Sequence, residues 1–161
     1  MLINLFFFLK FDPLKNFVYN PKESLSFDGE TGPYIEYSHA RINSIFKKLK
    51  DREDVNIDNL EEYFKRVHVG LLTADNEFEI VKTLNKFPSI VQDSAKDFKP
   101  SIIAHYLLEL AQQFNEFYHA NPILSVDDKE LMKARLYLIY NIQIVLKIGL
   151  NLLNIKEIAE M

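Results

Sequence analysis

The sequence predicts an all-α helical bundle, and three observations carry that prediction. Apolar residues recur at three-and-four spacing along three long stretches, beginning near Pro33, Pro100 and Asp127. No run alternates apolar and polar residues for long enough to make a strand. The six prolines and four glycines fall mainly where helices should start or stop.

In chain order, Leu2 to Leu9 reads as a short buried helix or strand. It lacks the positive flank and cleavage site of a signal segment, and it is far shorter than the roughly 20 residues of a membrane span. So greasy a start suggests that something larger precedes it. Asp12-Pro13 makes a turn, Phe17 to Tyr19 is extended, and Asn20-Pro21 opens a short helix to Ser26. Gly29 to Gly32 then turns into the first long helix, with Thr31 as N-cap and Pro33 in the first turn.

That helix is expected to run to Lys50. Ile35, Ile42, Ile45, Phe46 and Leu49 form its core arc, and Tyr34, Tyr37, Arg41 and Lys48 share one edge of it. Asp51 to Asn59 reads as a loop, and Leu60, Phe64 and Val67 as a short helix. A helix from Asn76 should carry Phe78, Val81 and Leu84 on one side and end at Phe87-Pro88, with another opening at Pro88-Ser89. The second long helix starts at Pro100 and buries Ile103, Tyr106, Leu107, Leu110, Ala111, Phe114, Phe117 and Tyr118, with Asn121-Pro122 as terminator. Asp127 with Glu130 suggests a capping box for the third, whose stripe is Leu131, Ala134, Leu138, Ile142, Val145 and Leu146 and whose stop is Gly149.

Composition narrows the chemistry. At 161 residues with 48% hydrophobic and 26% charged residues, the chain suits one soluble domain. The absence of cysteine excludes disulfides, cysteine–zinc sites and thiol catalysis, and suits a cytoplasmic protein. A net charge of -4 argues against general nucleic-acid binding, so any RNA contact must use a local basic patch. His39, His68, His105 and His119 show no metal-ligand spacing, and no phosphate-binding or nucleophile motif is present. No catalytic residue, metal site or cofactor is expected in this chain. The rings beside cations at Tyr34, Tyr37, Arg41 and Lys48 could stack bases and meet phosphate. From spacing alone, however, a packing edge covered by a neighbouring helix is favoured.

The stretch Gly29 to Arg41, Gly-Glu-Thr-Gly-Pro-Tyr-Ile-Glu-Tyr-Ser-His-Ala-Arg, resembles the opening of the DALR-type anticodon-binding domain of bacterial arginyl-tRNA synthetases. Lys99-Pro100, Ile103 to Ala111, Phe114 to His119, Asn121 to Leu124, Lys133 to Leu136, Val145 to Leu150, Leu153 and Met161 agree with the same family in the same order. The resemblance implies the helical bundle of the class Ia aminoacyl-tRNA synthetases, with residues 29–161 as the anticodon-binding bundle and 1–28 as a connection from the catalytic part. The family's catalytic Rossmann domain and its HIGH and KMSK-type motifs have no counterpart here. This chain alone is therefore expected not to charge tRNA; ATP and magnesium belong to the parent enzyme.

The same resemblance implies tRNA(Arg) anticodon stem-loop and the parent's catalytic domain as partners. It places Tyr37, Arg41 and Met161 around an anticodon-loop base, which requires the C-terminal tail to return beside the first long helix. Tyr34, Lys47, Lys48 and Arg135, with Lys50 and Arg52, are weaker candidates for tRNA contact. Two departures stand out: Asn154 where the family often has glycine, and Ile148 where many members are polar. A helical protein-interaction module that kept the fold without RNA binding is the alternative.

Overall fold

The computed structural model describes residues 2–12, 14–18, 20, 22, 31–53 and 59–156. Among them run six α-helices: α1 (Leu2–Leu9), α2 (Gly32–Glu53), α3 (Leu60–Tyr63), α4 (Asp75–Asp97), α5 (Pro100–Ala120) and α6 (Lys129–Leu152). A 3₁₀ turn, Val69–Leu71, lies between α3 and α4. The short helix expected over Asn20 to Ser26, and Gly29 with its turn, fall almost wholly outside the described residues.

The core forms where α2, α5 and α6 press their apolar stripes together, with α4 laid along α5 and α1 against α2 and α5. Leu107, Leu110, Phe114 and Phe117 of α5 are fully buried, as are Ile35 and Ile42 of α2 and Leu136, Ile139, Ile142 and Leu146 of α6. Each such side chain contributes about 1.5–3 kcal/mol by leaving water. Phe6 of α1 is buried in the same core, so the greasy start is a helix with a packing partner.

Helix starts follow side-chain chemistry. The Tyr34 N–H donates to Thr31 Oγ1 at 3.3 Å, the cap expected at the head of α2. At α6 the cap is Asp128, one residue beyond the predicted Asp127, and its Oδ1 accepts from the Glu130 and Leu131 N–H groups. Ala74 heads α4 and has no side-chain acceptor to offer; Glu77 Oε2 instead reaches back to the Ala74 N–H at 3.0 Å.

Three expectations are corrected. First, α4 continues through Pro88 to Asp97 instead of stopping there. Proline removes one internal hydrogen bond, but the helix is held along α5, where Phe87 stacks on Tyr106 with centroids 5.5 Å apart. Second, α4 does not bury the side bearing Phe78 and Val81. Phe78 is 57% exposed, with the Lys82 ammonium over its ring, while Glu77, Ile80 and Thr83 point inward. Third, Gly149 lies inside α6 rather than ending it. A Cβ there would sit 2.5 Å from Leu107 Cδ2, so glycine is what lets α6 approach α5 closely.

The end of α6 is built three residues on. Asn154 takes the left-handed conformation (φ 59°), the Ile155 N–H donates to the Leu150 carbonyl at 2.9 Å, and the Asn154 N–H to that of Asn151 at 2.9 Å. This is the paired hydrogen-bond pattern glycine usually provides, closed by buried Leu150 and Ile155. Asparagine therefore keeps the turn of the tail. Met161 and the last stretch of that tail lie outside the described residues.

Candidate nucleic-acid interface

Helix periodicity puts Tyr37 and Arg41 one turn apart on α2, and the fold adds α5 beside them. The Arg41 Nη2 donates to Tyr37 Oη at 2.5 Å, with the guanidinium carbon 4.5 Å from the Tyr37 ring centre. The ring of Tyr118 on α5 approaches the same guanidinium to 4.8 Å. Arg41 Nη1 donates to Asn115 Oδ1 at 2.7 Å. Asn115 is buried, whereas Tyr37 is 41% exposed, so the cluster is anchored at its base and open at its rim.

The electrostatics are unusual for a partly buried arginine. Its partners are a phenol, an amide and two aromatic faces, and among the described residues no carboxylate pairs with it. Two rings and two neutral acceptors favour the cation without cancelling it. The remaining guanidinium donors suit an anion or an acceptor-rich base edge, and Tyr37 and Tyr118 offer rings for stacking.

Tyr118 also forms one wall of a cleft of about 560 Å³ between the end of α2 and the turn after α5, which Lys48, Arg52, His119 and Asn121 line as well. Lys48 and His119 are exposed. Arg52 is engaged differently: its Nη1 donates to the Leu124 carbonyl at 2.8 Å and ties α2 to that turn. Lys47 and Lys50 are exposed on α2, and Tyr34 is partly buried against the core. Ile148, the apolar departure, is exposed near the end of α6.

Arg135, the remaining weaker tRNA candidate, lies behind this surface rather than on it. It is buried, with Nε donating to Glu77 Oε1 at 2.7 Å and Nη1 to the Pro122 carbonyl at 2.7 Å. Its charge is consumed by the fold. Conversely, sequence reasoning assigned Tyr118 to the core stripe and gave Asn115 no role. Ala111, Asn115 and Tyr118, at i, i+4 and i+7, form the edge of the α5 stripe, and an amide inside such an edge is the signal of a polar contact across helices.

Comparison with known proteins agrees with this architecture. The family described as the DALR anticodon binding domain matches residues 35–161. The arginine–tRNA ligase of Halothermothrix orenii is 38% identical over 148 residues, covering 92% of this chain and 24% of the relative. That of Treponema pallidum is 41% identical over 156 residues, covering 97% and 26%. Among solved structures, arginyl-tRNA synthetase from Thermus thermophilus superposes with a TM-score of 0.79 at 30% identity, over 98% of this chain and 26% of that one. The Plasmodium falciparum arginyl-tRNA synthetase gives 0.80 at 27% identity, with the same coverage. The chain thus spans about a quarter of the length of these relatives. With the family matched from the first core position of α2 to the last residue, the chain belongs to the DALR anticodon-binding domain family.

Proposed function

We propose that this domain holds the anticodon stem and loop of an arginine-accepting tRNA, as the RNA-gripping part of a cytoplasmic arginine–tRNA ligase. The observation that carries the reading is the Arg41 guanidinium set between the Tyr37 and Tyr118 rings, charged and unpaired by any described carboxylate. A loop base stacks on the exposed Tyr37 ring while Arg41 meets its acceptors, and Met161 adds an apolar wall. Lys48 and, more weakly, Lys47 and Lys50 face the phosphates beside it, with Tyr34 supporting the tyrosine edge from below. Such a grip has no need of a metal or cofactor in this domain. The ligation itself, with ATP and magnesium, belongs to the catalytic domain of the parent enzyme, to which residues 1–28 connect.

No described helix is long and apolar enough to cross a membrane. The acidic balance of the whole chain makes the local patch decisive: RNA must be drawn to a few cations rather than to a general positive field. The test is binding of a fluorescent tRNA(Arg) anticodon stem-loop, titrated at several salt concentrations. Affinity should fall steeply with salt, and Tyr37→Ala and Arg41→Ala should each weaken it about tenfold or more at low salt. Salt-insensitive association that ignores both substitutions would instead identify a protein-interaction module.

A further inference from the structure

An arginine that reads RNA has to be held still, and three hydrogen bonds behind Arg41 show what holds this one. The Ser38 hydroxyl donates to the Tyr34 carbonyl at 2.9 Å, which uses its only proton. Ser38 Oγ can therefore only accept from Asn115, whose Nδ2 lies 2.9 Å away. The same Nδ2 donates to the Ala111 carbonyl at 3.0 Å. With both amide protons committed to acceptors, the orientation of the Asn115 amide is settled by chemistry: Oδ1 must face the other way, toward Arg41 Nη1 at 2.7 Å.

We infer that Asn115 is the positioning residue of this interface, fixing the Arg41 guanidinium in the attitude in which it meets RNA. The inference rests on the proposed role of Arg41 in RNA binding. Asn115 and Ser38 are both buried, so neither touches RNA; they act through Arg41. An amide suits the task in a way a carboxylate does not. It accepts from Arg41 without neutralising it, and it donates to two α-helical neighbours that an aspartate could not serve together. Asn115 thus orients the arginine and leaves its full charge for the ligand.

The test is a double-mutant cycle read by stem-loop anisotropy, with a thermal melt of every variant. Asn115→Ala should weaken binding about tenfold, the loss of one hydrogen bond to a charged group, and should cost nothing further in an Arg41→Ala background. Ser38→Ala, a small change in a buried site, should show a lesser loss with the same dependence on Arg41. Asn115→Asp keeps the shape and should weaken binding with a shallower salt dependence, because the new carboxylate cancels the arginine. This variant and Ser38→Ala decide the matter even if Asn115→Ala does not fold. Wild-type affinity in Ser38→Ala and Asn115→Asp, or equal losses with and without Arg41, overturns the positioning role while leaving the RNA reading intact. Wild-type affinity in Arg41→Ala alone overturns the RNA reading, and the positioning role falls with it.

Discussion

Glu77 and Arg135, 58 positions apart in sequence, join α4 to α6 through a buried ion pair with Oε1 and Nε 2.7 Å apart. The second carboxylate oxygen of Glu77 caps the Ala74 N–H, and the second arm of Arg135 holds the Pro122 carbonyl. One pair therefore fastens the start of α4, the body of α6 and the turn after α5. That turn forms a wall of the cleft beside Tyr118, so the pair shapes the candidate interface from behind without reaching it.

Removing one partner leaves the other charge buried and uncompensated. Arg135→Ala is expected to destabilise the domain by about 3–5 kcal/mol in urea unfolding, with Glu77→Ala costing a similar amount. Stem-loop affinity of Arg135→Ala, measured well below its melting point, should stay near wild type. A selective loss of RNA binding with unchanged stability would return Arg135 to the interface.

Pro88 supplies a prediction of the opposite sign. It sits exposed in the interior of α4, where its nitrogen cannot donate to the carbonyl one turn back. Pro88→Ala restores that bond on a helix whose other contacts already hold it along α5. The expected gain is about 1–2 kcal/mol, below the full helix penalty of proline because alanine also frees the unfolded chain. An unchanged or lower urea midpoint would mean that α4 depends on the proline for its path.

These residues also show which parts of the fold were legible. The core arcs of α2 and α5 could be read because burial repeats with the helical period, and Ile35, Ile42, Ile45, Phe46 and Leu49 are all buried. Pro88 and Gly149 were misread because local propensity treats both as stops, whereas packing against α5 overrides the first and recruits the second for close approach. The rotation of α4 was hidden for a related reason: the residue that turns inward is the acidic Glu77, and its partner lies on another helix. At the interface, the Tyr37 and Arg41 pair was visible as an i, i+4 edge. Tyr118 and Asn115 share an edge of α5 by spacing, but spacing within one helix does not say which residue of another helix that edge meets.

Acid should act on the domain through Glu36. It is buried on α2, and burial raises its carboxyl above the ordinary 4.5. The folded state thus holds this proton more tightly than the unfolded chain does. The resulting stabilisation is present below the unfolded value and is lost as pH rises through the raised folded value. At neutral pH the group is a net cost that Glu36→Gln removes. The variant should gain stability at pH 7 relative to wild type, with the gain shrinking as pH falls through the raised folded value and gone below 4.5. A uniform shift at both ends of that range would show that the carboxylate's charge is not what matters.

Lys48 and Arg52 allow a free-standing cation of the cleft to be compared with a structural one. Lys48 is exposed on the cleft wall, while its neighbour Arg52 is bonded to the Leu124 carbonyl. If Lys48 neutralises a phosphate, Lys48→Ala should weaken stem-loop binding at low salt and reduce the slope of log affinity against log salt by about 0.7–0.9, with no change in melting temperature. Arg52→Ala should lower the melting temperature, because it unties α2 from the turn after α5. Arg41→Ala should differ from both: the slope falls with the lost charge, and part of the loss persists at high salt, since stacking and base contacts do not depend on counterion release. Should Lys48→Ala leave the slope untouched, the phosphate path does not run along this cleft, and the exposed lysines at 47 and 50 become the positions to substitute next.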